Sequence, residues 1–485
     1  MHLTSTTTSW RNYMRIKNAR GAIALTAGAS LALILSACAP PMDETPGATD
    51  TGTDTGSTEP TGDVAEGCED YAVYGDLSGK QVTVYTSIVE VEAVDQEESY
   101  DKFEECTGAT IVYEGSREFE AQLLVRVESG NAPDIAYLPQ PGLLNTIVTD
   151  FPDAIVPASA ETEANVDEFF APSWKEYGTV DGTFYAAPLG ANMKSFVWYN
   201  PTVFADKGYT VPETWDDMLA LTDQIAADYP DSKPWCAGIE SGDATGWPAT
   251  DWIEDVVLRA SGPEVYDQWV AHEIPFNDPQ IKAAFDVADD ILRDEARVNG
   301  GFGGVSTIAT TPWTDGGLPI LPAEGQDPQC FLHRAANFYQ NNWPEGTNVA
   351  EDGDVFAFYL PSIDGETSPV LGGGEFVAAF RDAPEVAAFQ AFLASDTWAN
   401  AKAIATEGGG WVTANSGLDV NNLATDFDKL ASSVLGDPNS VIRFDASDLM
   451  PAAVGAGSFW REMTSWFAEG KDTQAVLDAI EASWP

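Results

Sequence analysis

The sequence predicts an α/β fold arranged in two lobes. Segments 81–86, 109–113 and 134–138 are rich in β-branched and aromatic residues, as strands are. An acidic, helix-like segment ends near residue 105, and residues 119–127 place apolar side chains at helical spacing. Alternating strands and helices are typical of parallel α/β layers, whose ligands bind beyond the carboxyl ends of the strands. The 485 residues are too many for one compact core, so we expect two lobes of ordinary domain size.

Residues 1–37 have the composition of a secretory signal peptide. A basic stretch through Arg20 precedes an apolar run at 21–37 that ends in small residues. A membrane-spanning anchor is the alternative, but glycines and polar residues interrupt the run, which is short for crossing a bilayer. Leu35-Ser36-Ala37-Cys38 resembles a bacterial lipobox, whose cysteine receives diacylglycerol and becomes the new N-terminus. We therefore predict lipidation of Cys38 and anchoring on the extracytoplasmic face of the cell membrane.

Residues 38–68 carry the lipidated cysteine and then form a predicted disordered tether. They consist mainly of Thr, Gly, Asp, Pro and Glu, which cannot bury a core. The whole chain has a formal net charge of −54 at pH 7. Such a field repels phosphate backbones and anionic membrane surfaces, so it disfavours nucleic-acid binding and basic membrane docking.

The five cysteines are predicted to serve two purposes. One is Cys38, which leaves four in an oxidising compartment, and an even number there favours disulfide bonds. We favour the pairs Cys68–Cys106 and Cys236–Cys330, with free buried thiols as the alternative. Zinc is disfavoured, because the sequence has no Cys-x-x-Cys and its three histidines are scattered. We expect neither a metal nor a cofactor.

Six motifs spread along the chain carry a family resemblance. In chain order they are Gly130-Asn131-Ala132-Pro133-Asp134-Ile135, Tyr185-Ala186-Ala187-Pro188-Leu189, Val197-Trp198-Tyr199-Asn200-Pro201, Pro212-Glu213-Thr214-Trp215-Asp216-Asp217-Met218 and the longer runs 241–255 and 266–279. Together they resemble the family 1 extracellular solute-binding proteins, the carbohydrate receptors that include the maltose-binding protein. The two longer runs resemble the α-glucoside-binding branch. The resemblance covers about residues 69 to 485.

This resemblance implies a two-lobed, periplasmic-binding-protein-like fold of type II with a ligand cleft between the lobes. The implied lobes are 69–194 with 355–382, and 195–354 with 383–485. The implied function is capture of an oligosaccharide, an α-glucoside such as maltose, sucrose or trehalose, for an ABC importer. The permease and ATPase subunits of that importer are then its partners, and we expect the protein to act as a monomer.

Sugars present apolar ring faces and a rim of hydroxyls, so a receptor needs aromatic rings, carboxylates, amides and a few cations. Trp247, Trp252, Asp243 and Asp251 supply rings and carboxylates within one segment, which a glycine and a proline mark as an irregular loop. Core tryptophans beside N-capping aspartates are the alternative for this segment.

Glycine runs precede two further candidates. Trp411 follows three glycines, and because glycine permits close approach of a ligand to the backbone, a binding role is favoured. Glu375 also follows three glycines and is expected to bind a hydroxyl or to lie at the hinge. Trp313 and Asp315 form a weaker candidate pair.

Strand ends of the first lobe supply the remaining candidates. Glu90, Arg117, Glu118 and Gln140 follow predicted strands, and Lys194 follows the first predicted crossing between the lobes. Solvated surface positions are the alternative for Glu90, Glu118 and Lys194.

The sequence also allows two alternatives to a sugar receptor. Neighbouring carboxylates are also the machinery of glycoside hydrolases, and a surface scaffold protein would leave its cleft empty. The sequence contains no Gly-x-Ser-x-Gly, His-Glu-x-x-His or Gly-x-x-x-x-Gly-Lys motif. We therefore predict a binding protein rather than an enzyme, with no catalytic residues.

Overall fold

The computed structural model describes residues 65–363, 368–437 and 439–485. The predicted signal peptide, Cys38 and nearly all of the tether lie outside the described residues. Within the described ranges, none of the helices combines the length and the apolar character that a membrane span requires.

Strands occur throughout the described ranges. In chain order they are β1 (Gln81–Thr86), β2 (Thr110–Gly115), β3 (Ile135–Leu138), β4 (Thr179–Val180), β5 (Thr183–Phe184), β6 (Ala186–Pro188), β7 (Asn192–Met193), β8 (Phe196–Tyr199), β9 (Lys233–Trp235), β10 (Cys330–Arg334), β11 (Phe356–Tyr359), β12 (Ser368–Gly373), β13 (Phe376–Ala379) and β14 (Ser440–Phe444). The three predicted strands are confirmed as β1, β2 and β3.

The α-helices alternate with these strands. In chain order they are α1 (Glu90–Glu98), α2 (Asp101–Thr107), α3 (Phe119–Glu128), α4 (Pro141–Asp150), α5 (Ala160–Phe169), α6 (Pro172–Tyr177), α7 (Pro201–Lys207), α8 (Trp215–Asp228), α9 (Trp247–Val270), α10 (Pro279–Leu292), α11 (Pro384–Leu393), α12 (Asp396–Ala405), α13 (Asp426–Gly436), α14 (Ala446–Leu449), α15 (Trp460–Ala468) and α16 (Thr473–Glu481). The predicted helix at 119–127 is confirmed as α3, whereas the acidic segment before residue 105 forms two helices, α1 and α2.

The first lobe is built on a five-stranded sheet with the order β2-β1-β3-β13-β6. Strand β1 pairs in parallel with β2 and β3, as the alternating pattern predicts, while β13 is antiparallel to both of its neighbours. The side chains of β3 alternate between two apolar clusters, with Ile135 and Tyr137 in one and Ala136 and Leu138 in the other. Both faces of this sheet are therefore covered, as parallel sheets require.

The second lobe is built on a four-stranded sheet with the order β11-β8-β10-β9. A small third sheet, β14-β12-β7, lies on the path between the two larger ones. The chain passes from β6 through β7 to β8, and returns from β11 through β12 to β13. The two crossings pair with each other, because Gly372 and Gly373 of β12 face Met193 and Asn192 of β7.

Two segments lie in a different lobe from the one predicted. Strand β11 was assigned to the first lobe, but it pairs with β8, and Phe356 and Phe358 are buried in the core of the second lobe. Helices α11 and α12 were assigned to the second lobe, but Val386, Phe389 and Trp398 pack into the core that covers β1 and β13. The apolar faces of these segments match those sheets, so we correct the predicted limits at these two places. The other limits stay a prediction.

Both predicted disulfide bonds are confirmed. Cys68 is bonded to Cys106 and Cys236 to Cys330. The first bond ties the start of the described chain to α2, the second helix rather than the first. The second bond lies in the core of the second lobe, beside β9 and at the start of β10.

Candidate ligand-binding site

A cavity of about 230 Å³ lies between the two lobes. On one side it is lined by residues that follow β1 and β3 and by residues that precede β13. On the other side it is lined by the start of α9 and by residues that follow β14. The cavity is therefore at the carboxyl ends of the parallel strands, where α/β folds place their ligands.

Trp411 lines this cavity from the first lobe. Its ring packs edge-on against buried Trp398, with the ring centroids 5.7 Å apart. Gly410 precedes it with a φ of 93°, a region that glycine enters without strain. A Cβ atom on Gly190 would lie 3.2 Å from Trp411 Nε1 and 3.0 Å from Glu375 Oε2. Glycine at these two positions thus allows Trp411 and Glu375 to stand side by side in the cavity wall.

Four aromatic rings line the opposite wall, those of Trp247, Trp313, Phe338 and Trp460. Trp247, the first residue of α9, lies 5.3 Å from Trp313 and 6.0 Å from Phe338, measured between ring centroids. Trp313 and Phe338 are themselves 5.7 Å apart. Rings from both lobes therefore face one cavity, which is an arrangement suited to the apolar faces of a sugar.

Lys194 directly follows β7, and its side chain lies among a buried group of carboxylates. Its Nζ lies 2.6 Å from Asp445 Oδ2, 3.0 Å from Asp251 Oδ1 and 3.9 Å from Asp448 Oδ2. The same ammonium lies 5.7 Å from the centre of the Trp247 ring. Although burial opposes it, these carboxylates raise the pKa of Lys194 well above its usual value. Lys194 is therefore charged at neutral pH, and its position is fixed by its carboxylate partners.

The carboxylates around Lys194 differ in their ionisation. Burial raises the pKa of Asp251 to about 7, and Lys194 offsets this only in part. Burial and the negative charge of Asp445 raise the pKa values of Glu254 and Asp448 well above the usual range. Asp445 is the exception: burial opposes its charge, but the ammonium of Lys194 and hydrogen bonds from Asp251 and Glu254 together outweigh burial and lower its pKa. Asp445 is thus the member that remains ionised, and it lines the cavity together with Asp448.

Oxygens of Asp251, Glu254 and Asp445 lie within 4.8 Å of one another, which is close enough for a shared cation. Lys194 Nζ already contacts two of the three at hydrogen-bond distance. The positive charge at this position is therefore supplied by a lysine side chain.

A second polar group lines the first-lobe wall. Asn192 Nδ2 donates to Glu375 Oε1 at 3.1 Å. Burial raises the pKa of Glu375, and burial followed by the charge of Glu375 raises that of Glu92 to about 7. Lys402 lies in the same wall, and burial lowers its pKa to about 8. This wall thus offers both hydrogen-bond donors and acceptors to a ligand.

Seven of the predicted binding residues are brought together here. Those that line the cavity are Glu90, Arg117, Gln140, Lys194, Trp247, Glu375 and Trp411, and the weaker candidate Trp313 lines it as well. Arg117 Nη2 lies 2.5 Å from Glu90 Oε1, so these two exposed residues pair with each other. Gln140 donates to Glu120 Oε1 at 3.2 Å, while its own Oε1 is buried without a partner in the described part of the chain.

The other five predicted residues do not line the cavity. Glu118, Asp243 and Asp315 are exposed outside it. Asp251 is buried behind Lys194, and Trp252 is buried in the core, with its ring 5.2 Å from that of Trp235. The error arose because the segment after Trp247 forms the regular helix α9 and is not a loop. A proline in the first turn is compatible with a helix start, and helical spacing turns residues 251 and 252 inwards.

Several cavity residues were not predicted from the sequence. They include Glu92, Glu120, Asn192, Phe338, Lys402, Asp445, Asp448 and Trp460. Asp445 follows β14 directly, so the rule that ligands meet strand ends would have found it had that strand been predicted. Lys402 gives no such signal, because a lysine within a helix is usually exposed.

Comparison with known proteins places this fold and cavity in a family. Residues 85–400 match the family described as bacterial extracellular solute-binding protein. The chain is 38% identical over 424 residues to the osmoprotective compounds-binding protein GgtB of Synechocystis sp., covering 87% of this chain and 96% of that protein. It is 34% identical over 437 residues to the alpha-glucosides-binding periplasmic protein AglE of Rhizobium meliloti, covering 86% and 89%.

Solved structures show the same fold at low sequence identity. The bacterial solute receptor AcbH matches with a TM-score of 0.69 at 16% identity, covering 83% of this chain and 98% of that one. A chitin oligosaccharide binding protein matches with a TM-score of 0.68 at 16% identity, covering 84% and 98%. The predicted two-lobed fold of type II is therefore confirmed.

The fold and the cavity between its lobes define a solute receptor. The chain belongs to the bacterial extracellular solute-binding proteins. The family and both relatives are named as binding proteins, in agreement with the prediction that the chain is not an enzyme. The family description also agrees with the predicted extracytoplasmic location.

Proposed function

We propose that this protein captures a neutral α-glucoside, such as maltose, sucrose or trehalose, and delivers it to the permease of an ABC importer. The observation that carries the proposal is one cavity in which Trp411 faces Trp247 and Trp313, with ionisable carboxylates beside both sets of rings. The rings suit the apolar faces of a sugar, and carboxylates such as Asp445 and Glu375 suit its hydroxyls. Hinge motion of the lobes would then close the cavity on the ligand.

The size of the cavity supports a small ligand. Its volume of about 230 Å³ is below the range of about 300–1,000 Å³ that is usual for drug-sized ligands. A ligand of one or two sugar rings is therefore favoured over a long oligosaccharide.

The names of the two relatives favour two ligand classes. The Rhizobium meliloti protein is named for alpha-glucosides, which supports the proposal directly. The Synechocystis protein is named for osmoprotective compounds, a class that includes solutes other than α-glucosides, and we take one without a sugar ring as the second candidate. Five tryptophan or phenylalanine rings and several carboxylates favour the sugar, because a polyhydroxylated ring uses both.

We also propose that Cys38 is lipidated and that residues 39–68 tether the protein to the outer face of the membrane. A tether of this composition gives the receptor reach above the bilayer. The partners of the receptor are then the permease and ATPase subunits, which it meets as a monomer.

Calorimetric titration of the purified protein tests the proposed ligand. The arms are trehalose, sucrose, maltose and, as an osmoprotectant without a sugar ring, glycine betaine. Micromolar binding of one disaccharide, equivalent to about 8 kcal/mol, is expected. At a hundred times the dissociation constant it should stabilise the fold by about 2.7 kcal/mol and raise the melting temperature by about 3 °C. Binding of glycine betaine alone would replace the proposal, and release of reducing sugar from any disaccharide would contradict it.

A further inference from the structure

Lys402 is a buried cation in the cavity wall that makes no hydrogen bond and no close ion pair with the described residues. It lies in α12, lines the cavity and is only 3% exposed. Among the described residues, no carboxylate oxygen lies within 4.0 Å of its Nζ, and this nitrogen makes no hydrogen bond. Lys194 in the same cavity is the opposite case, since three carboxylates surround it.

Gln96 is a second buried donor in the same wall. It lies in α1, which packs against α12, and it is 2% exposed. Its Nε2 makes no hydrogen bond of ordinary geometry within the described ranges, although the hydroxyls of Tyr100 and Tyr137 lie close enough to influence it. Two helices that pack together therefore each contribute a buried residue with a donor group to the lining of one cavity.

Such groups destabilise an empty receptor. A buried ammonium without a carboxylate, or a buried amide N–H without an acceptor, loses its hydration and gains no bond in return. A ligand that brings acceptor oxygens to these donors regains those bonds. The free-energy cost of the unpaired donors in the empty receptor therefore favours ligands that carry acceptor oxygens over ligands that do not.

We infer that Lys402 and Gln96 form a donor subsite that binds hydroxyl oxygens of a neutral, polyhydroxylated ligand. This inference rests on the proposed function and assigns it a subsite on the first lobe. Hydroxyls match the site because each one accepts a hydrogen bond and also donates one, and Glu92 and Glu375 are acceptors in the same wall.

The surrounding charges favour a neutral ligand over an anionic one. The charged groups that face Lys402 are Asp95, Glu92 and Glu98 of α1 and Glu375 before β13. Burial lowers the pKa of Lys402 to about 8, because these carboxylates offset burial only in part. One cation among four acidic groups repels a phosphate or carboxylate on the ligand. The subsite therefore discriminates between a neutral glucoside and its charged derivative.

Lys402→Met tests the subsite, with Lys207→Met as the matched control. Lys207 is on the second lobe, pairs with Asp327 at 2.5 Å and does not line the cavity. We expect Lys402→Met to weaken disaccharide binding about ten- to a hundredfold, as for a lost hydrogen bond to a charged group. The unliganded melting temperature should stay the same or rise, because a buried unpaired charge is removed. The control should keep the affinity of the wild type.

Three further binding measurements show whether Lys402 and Gln96 contact the ligand or only support the fold. In the wild type, affinity should fall as pH rises through about 8, where Lys402 loses its proton, and Lys402→Met should lack that dependence. Trehalose 6-phosphate should bind more weakly than trehalose. Gln96→Met should weaken binding by about five- to tenfold, as for a neutral hydrogen bond.

Each outcome decides one claim. Unchanged affinity in Lys402→Met overturns the subsite, and so does a lower unliganded melting temperature or tighter binding of the phosphate. If no disaccharide binds to the wild type, the proposed function fails. The unliganded melting temperature still tests the unpaired charge in that case, since this arm needs no ligand.

Discussion

Lys194 Nζ lies 2.6 Å from Asp445 Oδ2, although the two residues are 251 positions apart in the sequence. Lys194 follows the first crossing between the lobes, and Asp445 follows β14 at the cavity edge. The ion pair thus joins the crossing strands to the ligand site. Since neither side chain is appreciably exposed, each depends on the other for its charge to be tolerated.

Lys194→Met should therefore destabilise the protein by about 3–5 kcal/mol, because it leaves buried carboxylates without their cation. Urea unfolding at neutral pH measures the loss. Lys207→Met removes a surface lysine from its pair with Asp327 and should change the stability far less, because solvent screens that pair. Equal losses in the two variants would show that the buried pair contributes no more than a surface pair.

Trp411→Ala should weaken binding of the best disaccharide about thirtyfold, since truncating a central aromatic residue costs about 2 kcal/mol or more. Trp484→Ala is the control, because Trp484 stacks on His272 with centroids 4.0 Å apart and does not line the cavity. Calorimetric titration of both variants checks the prediction. An unchanged affinity in Trp411→Ala would remove this ring from the site.

The parallel strands and the site at their ends were predictable because local patterns determine them. Strands β1 to β3 show their β-branched and aromatic composition directly, and Gln140 follows β3 as the rule for α/β folds requires. The glycine run before Trp411 is a local signal too, and the structure places Trp411 in the lining of the cavity.

The errors concern features that depend on residues distant in sequence. Whether Trp252 faces the cavity or the core depends on the rotation of α9 against Trp235. The lobe to which β11 belongs depends on its pairing with β8. Phe356 of β11 pairs with Tyr199 of β8, which lies more than 150 positions earlier in the sequence. Lys402 became a candidate only when the structure placed its buried side chain in the cavity wall, with no hydrogen bond from its nitrogen to the described residues.

Unliganded stability should fall between about pH 4.5 and pH 7 through Glu92. Burial and then Glu375 raise its pKa from the ordinary value of 4.5 to about 7. In that window the folded protein keeps a proton that the unfolded chain releases. The stabilisation is thus complete below the pKa of Glu92 in the unfolded chain. It is lost as the pH rises through the pKa of Glu92 in the folded protein.

Glu92→Gln isolates this contribution. Urea unfolding at pH 4 and pH 8 should show a smaller loss of stability in the variant than in the wild type, because glutamine does not titrate. Other buried acids, including Asp251, remain in both proteins and cancel in the comparison. Identical pH profiles would contradict the raised pKa of Glu92.

Cys38→Ala should abolish lipid attachment, because the thiol is the group that the proposed modification requires. Metabolic labelling with a fatty acid measures attachment, and membrane fractionation with and without detergent measures anchoring. The wild type should be labelled and released only by detergent, whereas the variant should be unlabelled and either soluble or unprocessed. Labelling of the variant, or unchanged detergent-dependent anchoring, would overturn the lipoprotein proposal.

The two disulfide bonds should contribute unequally to stability. Cys236–Cys330 closes a sequence separation of 94 residues and Cys68–Cys106 one of 38. Closing the longer loop removes more entropy from the unfolded chain. The Cys236–Cys330 bond should therefore stabilise the fold by about 0.8 kcal/mol more than the Cys68–Cys106 bond. Cys236 and Cys330 are also both fully buried in a core, whereas Cys106 is half-buried.

We therefore expect the double variant Cys236→Ala with Cys330→Ala to lose about 4.7 kcal/mol, and Cys68→Ala with Cys106→Ala to lose about 3.9 kcal/mol. Urea unfolding under oxidising conditions gives both values, and the wild type in excess reductant should unfold at least as easily as either variant. Thiol titration of the denatured, unreduced chain is the control, since four cysteines in two disulfides leave no free thiol among them. Four free thiols would contradict both bonds, and a larger loss for the Cys68 pair would show that local packing at α2 outweighs loop length.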